Sequence, residues 1–468
     1  MYRQSACISN FVLVPLFILH GKRKQKSVIV RNFSCSHKIY SMKDMRFCSG
    51  KQRNSARGIK WRLFYSAKSN VFMRNDFGKN KKNGQAMKTI ILCSFMVWME
   101  VSGQVLKDTM YQSPGVKGNV PVFTQEVERR QTYPLSWLSG RFKNFAEWRK
   151  EAKAKVFDCL LASPPRVTFQ PVELGEQDRG NYVAKKIVFQ LTGDSRVLAY
   201  LLVPKGTGPF PAVLLLHDHG AKFDIGKEKM VEPFADSLTR IQSARAWVDK
   251  NYGGRFVGDE LAKRGYVCFA TDALNWSDRG GGGYDGQQAI ASNLLNMGMS
   301  FAGLIAWEDM ASADFLASLP EVDTTRIVSL GFSMGSFRSW QVSALSDHIA
   351  GGIAICWFGE RKDLLVPGGN MVRGQSSFTT THPDIANYMD YADVAALACP
   401  KPMLFYNGEL DKLFPVASVK NAYEKLHTIW DSQYAGDKLT TKLWNVPHTF
   451  NAEMQDEAFQ WLDKHFKK

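Results

Sequence analysis

The pentapeptide Gly331-Phe332-Ser333-Met334-Gly335 places a serine between two glycines. A serine hydroxyl is a weak nucleophile at neutral pH. It attacks a carbonyl carbon when a neighbouring base takes its proton and a carboxylate holds that base in place. Here the pentapeptide follows an apolar run, 326–330, and precedes a helix-like segment, 336–345. That is the setting of a strained strand-to-helix turn which lifts a serine above a sheet, with glycines leaving room for nearby backbone. The motif alone recurs by chance; the strand and helix around it give it weight.

The base and the acid are sought downstream. A buried-strand pattern at 402–406 runs into Asn407-Gly408-Glu409-Leu410-Asp411, and Asp411 on that turn is the expected acid. Glu409 and Glu360 are its competitors. The last strand-like run, 442–446, leads into Pro447-His448-Thr449-Phe450, which makes His448 the expected general base. A tetrahedral intermediate also needs N–H donors for its oxygen. The backbone N–H of Met334 is one expected donor. The second is that of His219, in the loop His217-Asp218-His219-Gly220, where Gly220 permits close approach. A metal bound by His217, Asp218 and His219 is the rival use of that loop, but no further ligand cluster accompanies it, so neither metal nor cofactor is expected.

These residues need a scaffold that brings strand ends together. Continuous apolar runs at 212–216, 266–270, 326–331, 352–357, 403–406 and 442–446 alternate with helical segments, as expected for a mostly parallel, doubly wound α/β sheet covered on both faces. Leu304, Trp307, Ala311 and Phe315 form one helical stripe, ended by Pro320. Runs at 186–191 and 196–203 flank Thr192-Gly193-Asp194-Ser195, a hairpin signal. Residues 142–161 form an N-terminal helix. Two stretches, 219–255 and 272–300, read as long loops above the carboxyl ends of the strands, where such sheets place their crevice.

Composition separates the ends of the chain. Its 468 residues carry 60 Lys and Arg against 44 Asp and Glu, a net charge of +16. Residues 1–103 hold 20 of the basic residues and 3 of the acidic ones, so the remainder is nearly neutral and no nucleic-acid partner is expected. Residues 1–86 read as an unfolded basic leader upstream of the true start, with an organelle transit segment as the alternative. Residues 87–103, a short basic start, an apolar stretch and Val101-Ser102-Gly103, read as a signal peptide. A secreted or periplasmic protein follows, with a helical segment at 104–185 and the catalytic domain at 186–468. No membrane span is expected after cleavage. Cys268 and Cys356 lie in apolar runs and read as buried thiols.

With those motifs in place, Leu214-Leu215-Leu216-His217-Asp218-His219-Gly220, the serine pentapeptide, Pro400-Lys401-Pro402 with Asn407 to Asp411, and Val446-Pro447-His448 together resemble the dienelactone-hydrolase-like branch of the α/β-hydrolase superfamily. Asp278-Arg279 fits as well, and the resemblance covers 186–466. Members of the namesake group carry a cysteine nucleophile; Ser333 departs from them. The departure points towards bacterial carbohydrate esterases similar to this branch, such as acetyl xylan esterases and pectin methylesterases. The resemblance therefore implies an α/β-hydrolase fold and a secreted serine esterase acting on an acetyl or methyl ester of a polysaccharide. Arg338, Arg279, Trp276, Arg361 and Glu360 are the candidates for substrate contacts. Arg338, five residues after Ser333, is equally readable as a helix-surface arginine, and Trp357 as packing. An exopeptidase or amidase on the same fold, and a non-catalytic carbohydrate-binding protein, are the alternatives.

Overall fold

The structure, a computed structural model, describes residues 115–467 and the backbone of four short leader strands. The chain divides into units 1–111 and 112–468. In the first, Leu13–Pro15 pairs with Ser27–Ile29 and Arg62–Tyr65 with Val71–Arg74, both antiparallel. No such pairing was expected in the leader; isolated two-stranded pairs of this size are marginal in water. The expected signal segment, 87–103, lies outside the described residues.

The second unit is built on a nine-stranded sheet. Its strands are β1 (Val172–Asp178), β2 (Tyr182–Thr192), β3 (Ser195–Pro204), β4 (Phe210–Leu216), β5 (Val267–Thr271), β6 (Val322–Phe332), β7 (Ile349–Ile355), β8 (Met403–Gly408) and β9 (Leu439–Trp444). The spatial order is β9-β8-β7-β6-β4-β5-β3-β2-β1. From β5 to β9 the neighbours are parallel, while β3, β2 and β1 add antiparallel strands at one edge. This is an α/β-hydrolase fold.

Period-two alternation assigns the two faces. Val213 and Leu215 of β4, with Val328 and Leu330 of β6, pack towards α2 (Leu238–Asn251), α3 (Val257–Lys263) and α8 (Ala452–Phe466). Leu214 and Leu216, with Ile327, face α5 (Phe301–Ala317) and α6 (Met334–Leu345). The N-terminal helix α1 (Phe145–Leu160) starts where Asn144 caps the N–H groups of Ala146 and Glu147, and buries Trp148 and Val156. Its core extends to Phe337, Trp340 and α7 (Tyr391–Ala396). The helix of the Leu304 stripe is α5, capped by Ser300.

Three elements differ from the sequence reading. The two stretches read as loops contain α2, capped by Ser237, and α4 (Gly283–Asn296). Both have mostly polar surfaces and bury few residues, so neither has a strong apolar stripe. The edge strand β1 begins at Val172, ahead of the boundary at 186; it is almost wholly exposed and carries no apolar alternation. The four described cysteines, Cys159, Cys268, Cys356 and Cys399, are buried free thiols. No helix among the described residues is long and apolar enough to cross a membrane.

Candidate active site

Ser333 ends β6 and precedes α6 with φ 56° and ψ −122°, a left-handed backbone that an L-residue adopts only where the surroundings enforce it. Two close approaches enforce it here. A Cβ on Gly331 would lie 2.1 Å from the Gly335 carbonyl oxygen, and one on Gly335 would lie 1.9 Å from that of Leu216. The Ser333 N–H also donates to Ile355 O of β7 at 2.8 Å, anchoring the turn to the next strand. The flanking glycines are thus the residues that let two strands and a helix meet.

His448 Nε2 lies 2.9 Å from Ser333 Oγ, and His448 Nδ1 lies 2.6 Å from Asp411 Oδ2. Because a carboxylate only accepts, Nδ1 carries the proton and Nε2 offers its lone pair to the hydroxyl. Asp411 is buried, and its other oxygen accepts the Leu413 N–H at 2.9 Å. The two turns are sewn together by backbone bonds: Glu409 N–H to Trp444 O at 2.7 Å and Leu410 N–H to Val446 O at 3.1 Å. Beyond the histidine, Thr449 Oγ1 and the Phe450 N–H both donate to Asn251 O at 2.9 Å, so the unforeseen helix α2 braces this loop. Phe332 packs on the imidazole at a centroid distance of 4.7 Å.

The competing acids are placed elsewhere. Glu360 is held by Lys425, by Asn421 Nδ2 at 3.1 Å and by Lys362 at 3.3 Å. Burial raises its carboxyl pKa, but the Lys425 and Asn421 hydrogen bonds outweigh burial and keep it below the usual range. Glu409 is exposed.

On the opposite side of Ser333, no acceptor among the described residues takes up the N–H of Met334 or of His219. Gly220, at φ 58°, could not carry a Cβ, which would meet Trp247 at 2.3 Å. The side chains of this loop are all engaged. His217 Nε2 accepts the Ala273 N–H at 3.0 Å, so its Nδ1–H donates to Asp218 O at 2.9 Å. His219 Nδ1 accepts the Ala221 N–H at 3.0 Å, and its Nε2 donates to Gln287 Oε1 at 2.9 Å. Burial holds His217 well below the usual histidine range and His219 down to about 4, so both rings are neutral. With these nitrogens occupied, the three residues are built as structure and not as a ligand set.

The substrate-contact candidates largely fail to reach the cleft. Arg338 is buried in a two-pronged pair with Asp309, at 3.0 and 2.7 Å, so it is not a helix-surface arginine, and its guanidinium is engaged within the protein. Arg279 makes a similar fork on Glu308, 2.7 Å in each arm. Trp276 is fully buried and donates from Nε1 to His219 O at 3.2 Å, supporting the loop from behind. Arg361 lies buried over the Tyr391 ring at 4.1 Å and donates to its hydroxyl at 3.2 Å. Glu360 is tied up as described. The three arginines were taken for substrate contacts because their partners are remote in sequence.

The cleft is lined by Ser333, His219, Met334 and Trp357, with Leu413 and Phe414 beside them. Its other wall, which the sequence reading missed, comes from 370–380 and presents Asn370, Ser376, Ser377, Thr379 and Thr380. The run of hydroxyl residues at 376–380 was the available signal. Trp357 is nearly buried among Phe337, Tyr391 and Phe414.

Comparison with known proteins agrees with this architecture. The chain is 27% identical over 317 residues to YtaP of Bacillus subtilis (strain 168), covering 68% of this chain and 99% of that protein. Among solved structures, BF1801 of Bacteroides fragilis NCTC 9343, described as a candidate acetyl xylan esterase, superposes with a TM-score of 0.53 at 16% identity. That match covers 69% of this chain and 81% of the other. A glucuronoyl esterase from Solibacter usitatus gives a TM-score of 0.51 at 12% identity, over 71% of this chain and 94% of the other. At such identities the likeness is one of fold. The profile of the Abhydrolase family matches residues 122–450, more than half of the chain, and the protein therefore belongs to the Abhydrolase family.

Proposed function

We propose that the protein is a serine esterase that cleaves a carboxylic ester through an acyl-enzyme. The observation that carries this reading is the unbroken relay from Ser333 Oγ to His448 to Asp411, at 2.9 and 2.6 Å. Ser333 attacks the carbonyl carbon as His448 Nε2 takes its proton, and the N–H groups of Met334 and His219 receive the developing oxyanion. The imidazolium then returns the proton to the leaving alcohol. Water, deprotonated by the same nitrogen, releases the acid.

The substrate in this reading is an acetyl or methyl ester on a plant polysaccharide such as xylan or pectin. A hydroxyl-rich wall facing the nucleophile suits a sugar, whose ring presents many hydrogen-bonding groups. Structural similarity to a glucuronoyl esterase and to a candidate acetyl xylan esterase supports the same substrate class. Export through the segment 87–103 belongs to this reading, since the polymer lies outside the cell.

A fluorophosphonate probe is expected to label one serine per chain, at Ser333. Ser333→Ala is expected to abolish labelling and reduce turnover about 10⁶-fold, with the melting temperature nearly unchanged. Acetate and methanol released from acetylated xylan, methyl-esterified pectin and glucuronoyl esters separate the possible acyl and alcohol groups. Labelling elsewhere, or full activity in the alanine variant, rejects the reading.

A further inference from the structure

Three buried charges stand directly behind the His219 loop, in the segment Lys227-Glu228-Lys229, and none has any solvent exposure. Lys227 is accounted for by carboxylates: Glu228 and Asp272 at 2.8 Å and Asp278 at 2.6 Å. Lys229 is different. Its Nζ lies 3.4 Å from Asp218 Oδ2, but its two shorter contacts are with backbone carbonyls, Asp218 O at 2.9 Å and His219 O at 3.0 Å. An ammonium taken out of water at a cost of several kcal/mol is thus directed mainly at two successive peptide groups.

The first of those peptides is the one whose N–H belongs to His219. In a trans peptide the C=O and N–H lie in one plane and point to opposite sides. Fixing Asp218 O therefore fixes the direction of the His219 N–H. Two donors converge on that oxygen, Lys229 Nζ and His217 Nδ1, each at 2.9 Å. A cation on the oxygen also draws electron density through the amide, which strengthens the N–H as a donor. The second peptide is pinned in the same way, His219 O receiving Lys229 Nζ and Trp276 Nε1 at 3.2 Å.

We propose that Lys229 is a positioning residue for ester hydrolysis: its buried ammonium orients and polarises the Asp218–His219 peptide so that the His219 N–H meets the oxyanion. The inference rests on the esterase reading above. Asp218 serves as the counter-ion, held in turn by Tyr252 Oη at 2.6 Å and Trp247 Nε1 at 3.1 Å, both on its Oδ1. Because the interaction strengthens as charge develops on the substrate oxygen, its loss falls on the chemical step and not on substrate binding.

Lys229→Met removes the ammonium while keeping an unbranched chain of similar length. In the full-length protein hydrolysing p-nitrophenyl acetate, kcat is expected to fall about 10²-fold, the scale of losing one oxyanion donor, with KM within about threefold. The variant leaves Asp218 uncompensated, so a second variant separates folding from chemistry. In Asp218→Asn/Lys229→Met neither charge of this pair remains buried, and the melting temperature is expected to recover while kcat does not. Recovery of kcat together with stability overturns the proposal, because Lys229 would then act only as a counter-ion; so does a single variant with unchanged kcat, or one in which KM rises as much as kcat falls. Wild-type turnover that survives Ser333→Ala instead overturns the esterase reading, and this inference with it.

Discussion

The two flanks of Ser333 are held by different means. On the His448 flank the functional side chains sit on turns directly after β8 and β9, and short backbone bonds between those turns set their spacing. On the His219 flank the loop rests on buried ions: Lys229 against Asp218, and Lys227 against Glu228 and Asp272. The first arrangement spends charge only where the reaction needs it. The second buries charge for the sake of position, and it is tolerated because every ion has a partner. Mutations on the two flanks should therefore fail differently, those beside His448 in rate with the fold intact and those behind His219 with a loss of stability as well.

Among the residues that flank Ser333, Asp411→Asn gives the largest effect. An asparagine would offer its amide to His448 Nδ1 and favour the wrong tautomer, lowering kcat by up to about 10⁴-fold with little change in thermal stability. Glu360→Gln is expected to stay within a few-fold of wild type, since Lys425 and Asn421 already hold that carboxylate. Steady-state kinetics on both variants checks this, and an inactive Glu360→Gln enzyme with an active Asp411→Asn enzyme would transfer the acid to the end of β7.

Lys227→Met probes the other flank without touching the carbonyls of Asp218 or His219. It leaves Glu228 and Asp272 buried beside each other with no cation between them, and should cost about 3–5 kcal/mol of folding stability. Burial already raises the Asp272 carboxyl to about 6 despite Lys227, which marks how little solvation that carboxylate has. Chemical denaturation measures the loss, and kcat per labelled active site is expected to remain within about tenfold. A change below about 1 kcal/mol would mean that water enters the cluster and that the flank is not held by buried ions.

The same contrast explains what the sequence could reveal. The meeting of Ser333, Asp411 and His448 was legible because the proposed reaction calls for these residue types and the parallel sheet dictates their order, each within a few residues of a recognisable strand. The oxyanion loop was legible through Gly220, whose φ and closeness to Trp247 admit no other residue. Arg338, Arg279 and Arg361 were misjudged as free cations: Asp309 is 29 residues from Arg338 and Glu308 is 29 from Arg279, and no local pattern announces such pairs. Lys227, Glu228 and Lys229 lie within the stretch 219–255 read as a long loop, and nothing in their spacing announces Asp218 or Asp272 as partners. Helix α2 escaped notice because only Ala244 and Val248 of its residues are buried, yet it supplies the carbonyl that braces the loop after His448.

The smallest effect concerns acid, and it probes the imidazoles that burial has silenced. His217, His219 and His382 are all buried and depressed by desolvation, His382 to about 3. His382 is the cleanest probe, because its ring makes one hydrogen bond, Nε2 with Gln341 Oε1 at 2.8 Å, and lies outside the relay. In the unfolded chain a histidine takes up its proton near pH 6.5, whereas the folded protein refuses it until about pH 3. The stabilising contribution is therefore complete above pH 6.5 and is lost as the pH falls towards 3, by up to about 1.4 kcal/mol per pH unit. Glutamine can keep the bond to Gln341 but does not titrate. The stability gap between wild type and His382→Gln should thus shift in favour of the variant by about 2 kcal/mol between pH 7 and pH 5. Asp272 and Asp393, whose carboxyls burial raises to about 6, bias stability the other way over this range, but they do so in both proteins and cancel in the difference. Urea midpoints at the two pH values measure the gap, and a constant gap would mean that His382 takes up its proton over the same pH range in the folded protein as in the unfolded chain, with a carboxylate or water near Nδ1 that the buried surroundings do not provide.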